Sequence, residues 1–265
     1  MKDILEEIVA YKRKELAEQK KVVSYGMLIS QAGKVMDASP DKQRSMAETL
    51  ANSTTGIIAE FKRRSPSKGW IKEDGQPEVI LPSYEANGAS ALSVLTNYHF
   101  FGGNINDIVK ARPIVNIPIL RKDFIIDEYQ MLQARVIGAD AVLLIAADLT
   151  KEECRQLAAT AHDLRLETLL EVHTEKELEY VGDNIDMVGV NNRNLGTFHT
   201  DVENSFRLAE LLPREYVLVS ESGISDPENI RQLRQAGFNG FLIGETFMKT
   251  ADPGNTLRQF VNAIR

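Results

Sequence analysis

From residue 56 onward, short apolar runs alternate with longer stretches in which apolar positions recur every third or fourth residue. The short runs read as strands near 57–62, 90–96, 118–122, 140–146, 167–172, 186–191, 216–221 and 239–243. The stretches between them read as helices near 76–87, 104–112, 127–137, 150–163, 174–180, 201–211 and 226–236, and a last helix ends the chain. Compact apolar runs suit buried strands, whereas a 3.6-residue period suits helices laid against them. Asn87-Gly88-Ala89, Ile137-Gly138-Ala139 and Ala236-Gly237-Phe238 each close a helical stretch just before an apolar run. A glycine there supplies the left-handed residue that ends a helix. One helix–glycine–strand unit is being repeated.

Strands that alternate with helices in this way predict a parallel sheet, and eight of them predict a closed (β/α)8 TIM barrel. A doubly wound open sheet is the competing arrangement. No Gly-x-Gly-x-x-Gly follows the first strand, which counts against its dinucleotide-binding form. The first fifty residues carry no strand pattern. Ile4, Leu5, Ile8, Val9 and Leu16 mark a surface helix over 2–20, and two more helical stretches follow near 24–34 and 43–51. The expected organisation is therefore an N-terminal helical extension, residues 1–50, packing on the mouth of a catalytic barrel, residues 51–265.

Composition narrows the function. The 265 residues are 43% apolar and 26% charged, ordinary values for a globular domain with one large core. A net charge of −7 argues against nucleic acid and anionic membrane as partners. Any anion must be held by local groups. Cys154, the single cysteine, excludes an internal disulfide and a cysteine zinc site. The charge-rich start is unlike a signal peptide, and the apolar run Ala141 to Ala147 is too short to span a bilayer. These features predict a soluble cytoplasmic protein.

The candidate chemistry lies at the strand ends, where barrels of this kind place their active sites. Strand 1 finishes in Glu60 and Lys62, strand 3 in Lys122 and Asp123, and strand 5 in Glu171. Strand 6 ends in Asn191, Asn192 and Arg193, and strand 7 in Glu221 and Ser222. Side chains alternate along a strand, so Glu60 and Lys62 share the face of Ile58, Lys122 that of Leu120, and Glu171 that of Leu169. A single lysine or glutamate at a strand end is usually solvated; polar groups at five equivalent ends predict one shared site.

A second cluster follows strands 7 and 8. Ser220-Glu221-Ser222-Gly223 and Leu242-Ile243-Gly244-Glu245 have the glycine loops with which barrels bind phosphate, although such glycines also serve as plain turns. Ser65 and Arg64 are expected to assist with the anion. His99, His162, His173 and His199 show no metal-ligand spacing and read as structural or solvated, while Trp70 and Cys154 read as packing residues. No metal and no organic cofactor is implied.

Seven stretches, in order and spacing, carry a resemblance: IIAEFKRRSPSKG, PILRKDFIID, GADAVLLI, LLEVH, GVNNRNL, SESGI and FLIGETFM. Together they resemble the indole-3-glycerol phosphate synthase family over nearly the whole chain. The resemblance implies ring closure of 1-(2-carboxyphenylamino)-1-deoxyribulose 5-phosphate, an anthranilate joined to an open-chain sugar phosphate. By similarity, Lys122 is the acid at the ketone oxygen, Lys62 binds the substrate carboxylate and can expel water, and Glu171 is the base of the dehydration. Glu60 is expected to hold the lysines, while Asn191, Glu221 and Ser222 position hydroxyls and amine with Arg193 in support. Phosphate is expected on Gly223 and Gly244 with Ser65 nearby. Many relatives carry a small residue at the place of Glu245, so its carboxylate is expected to turn away while its N–H faces the anion. Phe124, Leu143, Phe101 and Leu195 are the expected apolar bed for the aromatic ring. The working unit is expected to be a monomer or weak homo-oligomer.

Two other functions compete. An aminoaldose isomerase barrel needs one acid and one base, without two lysines or a long N-terminal extension. A metabolite-binding barrel without activity is expected to lack at least one of Glu60, Lys62, Lys122 and Glu171. All four are present.

Overall fold

The computed structural model describes residues 4–38, 44–194 and 199–264. Eight parallel strands close on themselves: β1 Ile57–Phe61, β2 Ala91–Leu95, β3 Ile119–Lys122, β4 Ala141–Ile145, β5 Glu167–Val172, β6 Met187–Asn191, β7 Val217–Glu221 and β8 Gly240–Ile243. Neighbours in the barrel are neighbours in sequence, and β1 closes the ring by pairing with both β2 and β8. The expected barrel is present, every strand within a residue or so of its predicted span. The predicted helix at 174–180 is instead a 3₁₀ turn, Glu175–Tyr180. Glu177 folds back to accept the His173 N–H at 2.7 Å, which tightens that turn.

Alternation sorts each strand's side chains. Ile57, Ala59 and Phe61 of β1 face the surrounding helices, with Leu92, Val94, Val142, Leu144 and Leu170 of other strands. Ile58, Ala91, Leu120, Leu143, Leu169, Met187, Val219 and Leu242 fill the inside. The lower barrel is therefore a packed core rather than a channel, and each fully buried aliphatic side chain there stabilises the fold by about 1.5–3 kcal/mol.

The first fifty residues serve both ends of this barrel. α1 (Ile4–Val22) lies at the mouth, where Leu5 and Ile8 face the cavity. α2 (Tyr25–Ala38) packs through Leu28 and Ala32 on Tyr129 and Leu132 of the helix Glu128–Ile137. α3 (Met46–Ala51) plugs the opposite end, where Met46 and Leu50 join the inner cluster. Glu167, at the start of β5, fixes the plug by accepting the Met46 and Ala47 N–H groups at 2.6 and 3.0 Å, as well as the Ser45 hydroxyl. A carboxylate on the first turn of a helix satisfies donors that have no partner in the helix itself.

α1 is attached by a buried ion pair. Lys12 is 2% exposed and reaches Asp123 at 2.9 Å and Glu15 at 2.7 Å. Asp123 also accepts the Thr96 hydroxyl at 2.7 Å and faces Arg121 at 3.2 Å. Burial would raise its carboxyl, yet Lys12 and Arg121 outweigh that and hold it below the usual range. Tyr11 of α1 stacks on His99, ring centroids 4.4 Å apart, so the helix is held along its length.

Candidate active site

The C-terminal strand ends open into a cavity of about 400 Å³ under α1. Its lining brings together Glu60, Lys62, Lys122, Phe124, Leu143, Glu171, Asn191, Arg193, Glu221, Ser222, Gly223, Gly244 and Glu245. Of the residues expected at the site, Ser65 is buried beside the cavity while its neighbour Pro66 takes the lining position. Leu195 lies outside the described residues.

Two ion-pair groups face each other across the barrel. Lys62 Nζ donates to Glu60 Oε1 at 2.5 Å. Lys122 Nζ donates to Glu171 Oε2 at 3.0 Å and lies 3.2 Å from Glu221 Oε2. Glu60 was expected to hold both lysines; in the structure it bonds Lys62, and the direct partners of Lys122 are the other two glutamates. The register explains this, since Asn191 lies opposite Glu221 and Glu171 opposite Gly189, which brings β5 and β7 carboxylates together over β6.

Two glycines make room for these acids. A Cβ on Gly189 would sit 2.2 Å from Glu221 Oε1, and one on Gly244 would sit 2.4 Å from Glu60 Oε1. Gly244 was expected to receive phosphate on its backbone; its missing side chain also gives Glu60 its place.

Burial and charge then set the protonation states. Burial would pull Lys122 down, but Glu171, Glu221 and Glu60 outweigh it and hold the ammonium above its usual range. Burial would raise Glu171, but Lys122 and His173 drive it well below the usual carboxylate range. Glu221 is raised to about 7, because burial and the nearby Glu171 and Glu60 overcome the attraction of Lys122. Two carboxyls of one residue type, side by side, are thereby driven apart, Glu171 toward its ionised form and Glu221 toward its protonated form.

The remaining walls differ in character. Phe101 and Phe124 lie 5.9 Å apart, tilted against each other, and with Leu95, Leu143 and Ile145 they form an apolar side. The far side consists of Ser222, Gly223 and Ser225 after β7, and Gly244 to Thr246 after β8. Ser222 and Gly223 are both left-handed, at φ +69° and +78°. A non-glycine residue there costs about 1–3 kcal/mol, a strain typical of functional loops. Glu245 opens the short helix Glu245–Met248, and its carboxylate pairs with Lys68 at 2.7 Å and faces Arg193 at 3.9 Å. Arg193, expected to support the polar layer, thus lies toward this end of the cavity.

Several expectations give way. Arg64 leaves the site to donate to the His99 carbonyl at 3.2 Å, with its guanidinium over Trp70. Trp70, read as a packing residue, is 48% exposed in a two-residue hairpin strand. His173, read as structural or solvated, contacts Glu171 directly, its Nε2 3.3 Å from Oε1. Gly189 was also missed, although a glycine inside a strand signals close approach of another group.

A cavity with two buried lysine–glutamate groups, an aromatic wall and a glycine-lined end agrees with the similarities of the chain. The family model for indole-3-glycerol phosphate synthase matches residues 5–260. The chain belongs to the indole-3-glycerol phosphate synthase family. It is 62% identical over 265 residues to an indole-3-glycerol phosphate synthase from Bacteroides thetaiotaomicron, covering 100% of both chains. A synthase of the same name from Acidithiobacillus ferrooxidans is 44% identical over 260 residues, 97% of this chain and 98% of that one. One from Bordetella pertussis is 40% identical over 262 residues, 98% of this chain and 100% of that one. The tryptophan synthase alpha subunit of Legionella pneumophila superposes with a TM-score of 0.62 at 14% identity, over 84% of this chain and 99% of that one. That likeness is one of fold alone. As an indole-3-glycerol phosphate synthase family member, the chain is a carboxy-lyase of tryptophan biosynthesis.

Proposed function

We propose that the cavity closes the indole ring on 1-(2-carboxyphenylamino)-1-deoxyribulose 5-phosphate, with Lys122 as the acid of the first step. The observation that carries this is the position of Lys122 Nζ between Glu171 and Glu221, at 3.0 and 3.2 Å. Two carboxylates keep the ammonium charged and aimed, ready to give a proton to the ketone oxygen as the ring carbon attacks. The aromatic ring lies on Phe101, Phe124 and Leu143. Lys62, on the opposite side with Glu60, neutralises the carboxylate that departs as carbon dioxide.

Dehydration follows. The hydroxyl leaves as water with a proton from Lys62, and the proton lost as the last ring double bond forms passes to Glu171. Asn191, Glu221 and Ser222 position the sugar hydroxyls and amine. Glu221, raised to about 7, is able to exchange a proton with Lys122 between steps. The phosphate sits against Gly223, Gly244 and the Glu245 N–H, with Arg193 and Ser65 near. Leu5 and Ile8 of α1 close the cavity from above and keep water from the cationic intermediate.

Among the described residues, no helix is long and apolar enough to cross a membrane. A biosynthetic role and a single cysteine support the cytoplasm as the setting.

Indole fluorescence tests the assignment, with the parent, Lys122→Ala and Glu171→Gln each given the anthranilate-derived substrate. Expected are product from the parent and a loss of about 10²–10⁴-fold in each variant, the range for removing one positioned acid or base. Equal turnover by Lys122→Ala would transfer the acid role to Lys62.

A further inference from the structure

The imidazole of His173 has a carboxylate at each nitrogen. Nε2 lies 3.3 Å from Glu171 Oε1, and Nδ1 lies 3.4 Å from Glu177 Oε2. A neutral imidazole has one donor and one acceptor nitrogen, and an acceptor facing a carboxylate is repelled. The two carboxylates therefore favour an imidazole with both nitrogens protonated, held by charge at these distances rather than by formed hydrogen bonds. Glu177 is in turn fixed in place by the His173 N–H at 2.7 Å and the Thr174 hydroxyl at 3.1 Å. The His173 side chain is 11% exposed, so water screens these contacts little.

We propose that His173, clamped by Glu177, is a positioning residue that keeps Glu171 aimed and ionised as the base of the dehydration. This rests on the assignment of Glu171 as that base. Glu171 faces a cation on each oxygen, Lys122 on Oε2 and His173 on Oε1. Once Lys122 has given its proton to the ketone oxygen, one of these charges disappears. Until Lys122 regains a proton, Glu171 without a second cation would accept one more readily, and a proton taken up there leaves no base for the later step. His173 supplies the charge that does not take part in the chemistry.

The charged groups around the imidazole are Glu171 on the strand that ends just before it and Glu177 on the following turn, with Lys122 and Glu221 beyond Glu171. Burial would lower His173, but the two adjoining carboxylates raise it to about 10, so it remains charged through the neutral range. Loss of a neighbouring cation raises a carboxyl by about one unit or more. The acid limb of the kcat profile, where Glu171 protonates, then moves to higher pH.

The test is the pH dependence of kcat and KM for the parent, His173→Gln, Glu177→Gln and Glu171→Gln. Expected for His173→Gln are a KM within about twofold and an acid limb moved up by about one pH unit, with the loss of kcat growing as pH falls. Glu177→Gln should move the limb in the same direction by less, and it decides the matter if His173→Gln fails to fold. An inactive Glu171→Gln beside an unmoved acid limb in the other variants overturns this inference alone. An active Glu171→Gln removes the base assignment and the inference with it.

Discussion

The Glu221 carboxylate occupies the space that a side chain at Gly189 would fill, with Oε1 2.2 Å from the ideal Cβ position. β6 thus yields its inward face at that point so that the β7 acid can lean toward Lys122. Gly189→Ala must push Glu221 aside or lift β6 away from it. Displacing a catalytic group by about 1 Å costs on the order of a hundredfold in rate. Steady-state kinetics should show kcat down by about that factor while circular dichroism stays that of a folded barrel.

Lys12→Met should loosen the attachment of α1. The change leaves Asp123 buried with Arg121 at 3.2 Å as its remaining cation. Removing one partner of a buried pair costs about 3–5 kcal/mol, and the lower end applies here because a second cation remains. Asp123 is depressed in the folded state, so the stability it contributes is present above the ordinary aspartate pKa of about 3.9 and is lost as pH falls through the folded value. Urea unfolding should show the parent well above the variant at pH 7, with the gap closing in acid.

Glu221→Gln separates stability from activity. With Glu221 raised to about 7 from an ordinary 4.5, the folded protein holds a proton that the unfolded chain releases. Its contribution to stability is therefore full below the unfolded value and lost as pH rises through about 7. Glutamine abolishes that loss. Thermal unfolding at pH 8 should place the variant above the parent, and its kcat should vary less with pH across the neutral range than the parent's. Such a trade is expected where burial tunes a group for chemistry.

Glu245→Ser concerns the anion. The carboxylate holds Lys68 at 2.7 Å and faces Arg193 at 3.9 Å, two cations that a phosphate would also attract. Removing it frees both and removes repulsion. Inhibition by inorganic phosphate at low ionic strength should become about threefold to tenfold tighter, and the effect should shrink as salt screens the site.

Much of this was legible in the chain. Eight apolar runs and three glycine-ended helices were enough for the barrel, and the polar strand ends placed Glu60, Lys62, Lys122, Glu171 and Glu221 at one mouth. The ion pairs were not legible, because register across β5, β6 and β7 decides which carboxylates meet Lys122. Lys12 left a trace that alternation rules overlook: it occupies the apolar stripe of α1 with Leu5, Ile8 and Leu16. His173 left none, since one histidine after a strand does not announce that Glu177 will fold back upon it. α3 was visible as a helix, but its place under the barrel depends on Glu167, which lies 122 residues from Ser45 in sequence.

That separation has a kinetic side. The plug cannot dock until β5 exists, so the segment made first must wait for the middle of the chain. Contacts between residues so distant in sequence are slow to form, because loop-closure entropy is lost before any packing compensates for it. Until then Met46 and Leu50 are greasy surface on an unanchored helix, and the inner face of the barrel is open to water from below. Closing the floor therefore requires the amino-terminal segment to meet the middle of the chain, and until it does this apolar surface is open to other chains.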